Sequence, residues 1–116
     1  SVVFTSSLAG AGLGTPGNAM YAASKGAISS YIHVAALELA SKKIRVNAVC
    51  PGMVETKIMA DSAVSSDDLQ KDMQTYPLGR YGKPEEIAWS IIYLLSDASA
   101  WVTGTNMIID GGLLVK

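Results

Sequence analysis

Two residues in the stretch MYAASKGA have the chemistry to move a proton: Tyr21 and Lys25, four positions apart in an alanine-rich run. On an α-helix, residues four apart are neighbours about one turn away, so phenol and ammonium share a face. A free tyrosine has a pKa of about 10, too high for efficient proton exchange near neutrality. A nearby ammonium favours the phenolate and brings such a hydroxyl toward the range where it serves as acid and base. A further hydroxyl is needed to orient the oxygen that exchanges the proton. The strand end TSS, ahead of the helix, offers Ser6 and Ser7, and Ser7 is chosen. The structural explanation of the pair is a tyrosine at the core edge and a lysine reaching for water, since Tyr-x-x-x-Lys arises by chance in many helices.

These groups need elements to position them. SVVFTSS reads as a strand rich in β-branched residues, followed by the Gly-rich loop LAGAGLGTPGN. From about Asn18 to Ser41 the pattern is helical, with Asn18 at the N-cap position. Met20, Tyr21, Ile28, Tyr31, Ile32, Ala35 and Leu39 give wide apolar coverage, and only a stripe around Ser29, Ser30 and His33 is polar. A helix this apolar is expected to be covered on more than one side, by a sheet and, as an option, by another subunit. KIRVNAVC (Lys43 to Cys50) reads as a second strand stopped by Pro51-Gly52. The polar, Met-containing stretch from Lys57 to Tyr76 predicts one or two short helices. GKPEEIAWSIIYLLS predicts a helix with Pro84 at its start, Glu85 and Glu86 in the first turn, and Ile87, Ile91 and Leu94 facing inward. NMIID (Asn106 to Asp110) predicts a third strand ended by Gly111-Gly112.

Strand–helix–strand–helix–strand predicts a parallel sheet in a doubly wound α/β fold. Such sheets are covered on both faces, which three strands with two long helices hardly achieve alone. The first strand opens the chain without a preceding turn or cap. The expectation is therefore that residues 1–116 form the C-terminal part of one domain whose other half lies upstream.

Composition narrows the function classes. Nearly half of the 116 residues are hydrophobic, enough for a real core, and the net charge of −1 gives no basic field for nucleic acid or anionic membranes. The longest apolar runs are too short to span a bilayer, and no signal-peptide pattern opens the chain. The single cysteine, Cys50, excludes an internal disulfide and a multi-cysteine zinc site, and fits a reducing, cytoplasmic setting.

The segments SS before the Gly-rich loop, YAASK, IRVNAVCPGMVET, PLGRYGKPEEIA, LLSDASAWVTG and IIDGG occur in one order and cover essentially the whole chain. In that order they resemble the short-chain dehydrogenase/reductase family, in particular its 3-oxoacyl-(acyl carrier protein) reductase-like members. The resemblance implies a Rossmann-like fold, here its last three strands and their helices. It implies reversible hydride transfer between NAD(P)H and a carbonyl or alcohol substrate. Tyr21 would be the catalytic acid/base and Ser7 would polarise the substrate oxygen. Lys25 would lower the tyrosine pKa and hydrogen-bond the nicotinamide ribose. Pro51 and Gly52 would shape the turn over the nicotinamide, Val54 would offer main-chain contacts to the carboxamide, and Thr56 would lie near the carboxamide and phosphates. The Ser7–Tyr21 interval is one residue longer than in many members, which keeps Ser6 as the alternative. The family's cofactor loop, its NAD-or-NADP selecting residue and its catalytic asparagine fall upstream of these segments. The 116 residues alone would then be inactive, and substrate and cofactor preference are undetermined.

The resemblance also bears on assembly and topology. The long helix and the last strand are where family members form homodimers and homotetramers. Right-handed crossovers would put both long helices on one sheet face. The family instead places the last helix on the opposite face. A rival reading is a non-catalytic chain that persists as a binding or assembly module; the joint presence of Ser7, Tyr21 and Lys25 argues against it.

Other signals have simpler explanations. GLGTPG (Gly12 to Gly17) fits G-x-G-x-x-G, but it does not follow its strand directly, Pro16 interrupts it, and the acid in range, Glu38, sits within a helix. A loop flanking the substrate cleft is the better account. His33, on the polar stripe beyond Tyr21, reads as a surface or subunit contact, and Cys50 as core packing. Asp67, Asp68 and Asp72 read as a solvated helix face, and Asp110 as a strand end that starts a turn. Lys57–Tyr76 is either a variable surface loop or a lid whose Met59 and Met73 line the cleft. A serine hydrolase fails on the residues: there is no G-x-S-x-G elbow, and S-x-x-K would need serine where Ala22 stands.

Overall fold

The computed structural model describes residues 1–57 and 65–116. Three strands, β1 (Val2–Thr5), β2 (Val46–Pro51) and β3 (Asn106–Ile109), form a parallel sheet in the order β1-β2-β3. Val2 pairs with Val46 and Ala48 with Asn106, so one register runs across the sheet. The helices are α1 (Leu8–Ala11), α2 (Ala19–Leu39), α3 (Ser66–Met73) and α4 (Pro84–Leu95). The α/β order expected from the sequence is thus present, with an added helical turn, α1, inside the segment expected to be a loop.

Both faces of β2 are used, which is why it is buried along nearly its whole length. Val46 and Ala48 join Ile32, Ala35 and Ala36 of α2 in the main core, with Phe4, Ile28, Leu39 and Ile44 packed around them. Alternation sends Asn47 and Val49, also fully buried, to the other face. There α4 packs against β1 and β2 and buries Leu94 completely, outside the α2 cluster. The two long helices therefore cover different faces, as the family resemblance implied and the general crossover rule did not.

Buried polar groups tie the loops to this frame. Asn47 donates from Nδ2 to the Val102 carbonyl (3.0 Å) and accepts from the Thr105 amide (3.1 Å). The Arg45 guanidinium donates to the carbonyls of Leu94, Ser96 and Val102, gripping the C-terminal end of α4. At its other end, Pro84 opens α4 and the Glu86 carboxylate reaches back to the Lys83 amide (2.8 Å).

Several expectations need correction. The long helix ends at Leu39 and tightens into a 3-10 turn, Ala40–Lys42, before Lys43 takes a left-handed conformation (φ 58°). That reversal delays β2 to Val46, so Lys43, Ile44 and Arg45 precede the strand. Asn18 stands just before α2, but its side chain makes no cap bond; its carbonyl instead accepts from the Ala22 amide (2.8 Å). Ser29 is not on a solvent stripe. It is buried because the Ser6 hydroxyl, 2.9 Å away, gives it a partner. Met20, Tyr21, Tyr31, Val34 and Leu37 face outward, since a helix apolar all round cannot turn every such residue to one sheet.

Candidate active site

The site lies where β1 and β2 deliver their C-terminal ends, the usual location of a ligand crevice in an open parallel sheet. β1 ends at Thr5, and the next two residues diverge. Ser6 turns inward, buried, and donates to the Lys25 carbonyl (2.8 Å) while pairing with the Ser29 hydroxyl. Ser7 is the N-cap of α1, accepting from the Ala9 amide at 3.3 Å, and lines an open cleft of about 380 Å³. Tyr21, in the first turns of α2 and about half exposed, lines the same cleft, as do Pro51 and Gly52 beyond β2. The volume is in the range of small-ligand pockets. Of the two serines left open by the sequence, only Ser7 faces Tyr21 across this space.

Lys25 follows Tyr21 by one turn. Its Nζ lies 5.8 Å from the Tyr21 ring centroid and donates to the Thr5 carbonyl (3.1 Å). The ammonium is thereby anchored to the strand end, beside the phenol ring, and is not among the residues lining the cleft.

α1 sits against α2 because residue 10 is glycine. A Cβ there would stand 2.5 Å from the Lys25 carbonyl carbon and oxygen and 2.6 Å from Ser6 Oγ. This close approach seats α1 on α2 at Lys25, and Ser7 and Tyr21 line one cleft. Gly12 ends α1 with φ of 120°, where an L side chain is strained. Leu13, Thr15 and Asn18 then border the cleft, so the GLGTPG segment forms part of its wall.

Pro51, Gly52 and Met53, in the turn that runs on to Val54, form another part of the wall. Gly52 donates to the Ile109 carbonyl (3.0 Å) and packs so closely that a Cβ would meet Asp110 Cα at 3.2 Å and Tyr76 Cε1 at 3.3 Å. Val54 pairs with Gly82 through bonds made by Met53 O and Glu55 N, which leave Val54's own amide and carbonyl out of that bridge. Thr56 is exposed and, like Val54, lies beyond the cleft lining. Asp110, just after β3, accepts from the amides of Gly112 (2.9 Å) and Leu114 (2.8 Å), closing the Gly111-Gly112 turn behind Gly52.

Tyr76 also lines the cleft, and no local pattern in the sequence marks it. Its Oη accepts from the Met53 amide (3.2 Å), and its ring lines the cleft. Burial pushes its phenol above the ordinary tyrosine value, so it is a neutral hydroxyl. Tyr81 stacks edge-on against it (5.5 Å between centroids) and donates to Asp72 Oδ2 at 2.7 Å. Burial, followed by that carboxylate, raises the Tyr81 phenol further.

The remaining singled-out residues have structural surroundings. His33 is exposed, with Nε2 3.2 Å from Asn106 Nδ2. Cys50 is fully buried, and burial pushes its thiol up. Asp67 and Asp68 lie in the first turn of α3, where Ser65 caps the helix, and Asp72 holds Tyr81. Met73 is half-buried and outside the cleft lining; Met59 lies outside the described residues.

The chain matches known proteins over almost its whole length. Residues 1–114 match the family model described as enoyl-(acyl carrier protein) reductase. The chain is 44% identical to a 3-oxoacyl-(acyl-carrier-protein) reductase of Thermotoga maritima, over 99% of this chain and 46% of that protein. The chain belongs to the short-chain dehydrogenase/reductase family. It is also 41% identical to a protein of Xanthobacter autotrophicus named inactive 2-(S)-hydroxypropyl-CoM dehydrogenase 2, over 87% of this chain and 46% of that one. Among solved structures, a 4-hydroxyisoleucine dehydrogenase mutant complexed with NADH and succinate superposes with a TM-score of 0.90 at 32% identity, covering 98% of this chain and 46% of that one. The short-chain dehydrogenase/reductase chain described here thus spans less than half the length of these relatives, and their three names cover different substrates. Among the described residues, no helix is long and apolar enough to cross a membrane.

Proposed function

We propose that this chain carries the proton-transfer side of an NAD(P)-dependent oxidoreductase, which interconverts a carbonyl and an alcohol. The observation behind this reading is that Ser7 and Tyr21 face one cleft while the neighbouring Ser6 is consumed by buried hydrogen bonds. Residues 1–116 would be the C-terminal, substrate-side part of a single domain whose cofactor-binding half lies upstream, in keeping with the share of each relative that is matched. Alone, they would be inactive.

The residues present fit a nicotinamide cofactor. Gly52 brings the Pro51–Val54 backbone tightly against Asp110, and Val54 keeps its own amide and carbonyl out of the Gly82 bridge. Pro51 and Gly52 would shape the turn, Val54 would meet the carboxamide, and Thr56 would lie near the carboxamide and phosphates. Lys25, fixed by the Thr5 carbonyl, would hydrogen-bond the nicotinamide ribose. When bound, NAD(P)H supplies the hydride and NAD(P)⁺ accepts it. The Ser7 hydroxyl orients the substrate oxygen in the cleft, and the Tyr21 hydroxyl gives that oxygen its proton in reduction and removes it in oxidation. The Lys25 ammonium lies beside the Tyr21 ring, 5.8 Å from its centroid.

The outward-facing Tyr31, Val34 and Leu37 of α2, with relative exposures of 56%, 55% and 80%, support a homodimer or homotetramer of the complete protein. A buried, free thiol at Cys50 fits a reducing cytoplasm. The second reading, a non-catalytic assembly module, is favoured by the relative whose name marks it inactive. Assay of the intact protein that carries this chain decides between them. Nicotinamide fluorescence is followed with NADH and NADPH against a panel of carbonyl compounds. Wild-type turnover that Tyr21→Phe abolishes, at an unchanged melting temperature, supports the enzyme; near-normal turnover by Tyr21→Phe refutes the role given to Tyr21.

A further inference from the structure

Tyr76 is separated from Met53 by 23 residues, yet it bonds the Met53 amide and lines the same cleft as Tyr21. Three contacts define its setting. Its Oη accepts from the Met53 amide at 3.2 Å, its Cε1 packs on Gly52 so closely that an added Cβ would stand 3.3 Å away, and its ring meets Tyr81 edge-on. Both tyrosines are buried, at 5% and 3% exposure. Tyr81 is itself anchored by hydrogen bonds to Asp72 Oδ2 and to the Leu69 carbonyl (3.3 Å), so the pair is braced from α3. The backbone of Tyr76 is fixed as well: its amide donates to the Met73 carbonyl and its own carbonyl accepts from Gly79.

The consequence follows from peptide geometry. The Gly52–Met53 peptide is planar and trans, so its carbonyl and its N–H point in opposite directions. Holding the Met53 N–H on the phenol oxygen therefore also sets the direction of the Gly52 carbonyl. Gly52 itself has unusual conformational freedom, and the hydroxyl removes it at one point. A phenylalanine at position 76 would fill the same space and leave the Met53 N–H without that acceptor, so the peptide would be held only by the flanking bonds of Gly52 to Ile109 and of Met53 to Gly82. The neutral phenol, kept so by burial, remains an acceptor through the neutral pH range.

We infer that Tyr76 is a positioning residue: through the Met53 amide it pre-orders the Pro51–Val54 turn, and it thereby sets affinity for the nicotinamide cofactor more than the rate of proton transfer. The identity of the ligand rests on the oxidoreductase reading above; the ordering of the turn does not.

The test uses the intact protein and the variant Tyr76→Phe, with Tyr93→Phe on the exposed side of α4 as control. Hydrogen exchange of the ligand-free protein is measured by mass spectrometry, and NADH and NADPH affinities by fluorescence titration. Expected for Tyr76→Phe are faster exchange in peptides covering Gly52 to Val54, a dissociation constant for the preferred cofactor raised roughly five- to tenfold, and kcat within about twofold of wild type. Tyr93→Phe should change none of these. Unaltered exchange in Tyr76→Phe overturns the positioning role. Altered exchange with unaltered affinity, or a loss confined to kcat, overturns the link to the cofactor. If the wild-type protein binds neither NADH nor NADPH, the oxidoreductase reading fails and takes the cofactor role with it, while the exchange result still decides whether Tyr76 orders the turn.

Discussion

Gly10→Ala is the most informative single perturbation, because two effects of opposite sign compete there. Alanine in place of glycine favours a helix by roughly 0.8–1 kcal/mol, so local propensity predicts a stabilised α1. Sterics predict the reverse. The new Cβ would stand 2.5 Å from the Lys25 carbonyl group, against 3.4 Å for ordinary contact, so the two backbones must part by about 0.9 Å. Lys25 sits inside a helix of 21 residues, whereas α1 has four, so α1 is the element that moves. Ser6 resists the movement, because its hydroxyl bonds both the Lys25 carbonyl and Ser29. Overpacking of this kind costs about 1–3 kcal/mol, enough to reverse the propensity gain. The same movement carries Ser7 away from Tyr21, and a misplacement near 1 Å costs up to about a hundredfold in rate. The assay is a thermal melt together with kcat of the intact protein. Gly14→Ala is the control, since a Cβ at Gly14 meets nothing within 4 Å. A Gly10→Ala protein as stable and as active as wild type would show that the α1–α2 contact does not position Ser7.

Other outcomes follow from single contacts. Asn47→Ala removes a fully buried side chain and strands the Thr105 amide, while the Val102 carbonyl keeps Arg45 as its donor, so a loss of roughly 1–3 kcal/mol is expected in chemical denaturation; a loss below about 0.5 kcal/mol would contradict that account. Glu86 makes a two-pronged bond to Arg80 (2.7 and 2.8 Å) and accepts from the Lys83 amide, and the Arg80 guanidinium above all lowers its carboxyl from the usual 4.5 to about 2. A lowered folded-state value means that the stabilisation is complete above pH 4.5 and is lost as pH falls toward about 2. Melting temperatures measured between those limits should therefore decline on acidification, and less steeply in Glu86→Gln; parallel curves for the two proteins would remove Glu86 from the acid response.

The outline of the fold was legible because its signals are local. Runs of β-branched residues marked the three strands, and Pro84 with Glu85 and Glu86 marked the start of α4, each depending on neighbours within a few positions. Where boundaries shifted, a single residue was responsible, as when Lys43 entered the left-handed region and postponed β2. Ser29 misled the helix reading because its partner, Ser6, lies on another element 23 residues earlier. The short helix α1 gave too little sequence to show a period.

The sequence by itself determined that a phenol and an ammonium share one helix face, since a 3.6-residue repeat places positions 21 and 25 together whatever surrounds them. Its ordered segments also determined the family. Only the tertiary structure gave the adjacent serines different surroundings, because the chain leaves β1 with Ser6 buried against α2 and Ser7 lining the cleft. It alone brought Tyr76 to Met53 and Gly10 to Lys25. Such contacts depend on how strands pair and helices cross, and residue spacing along the chain carries no record of that distance.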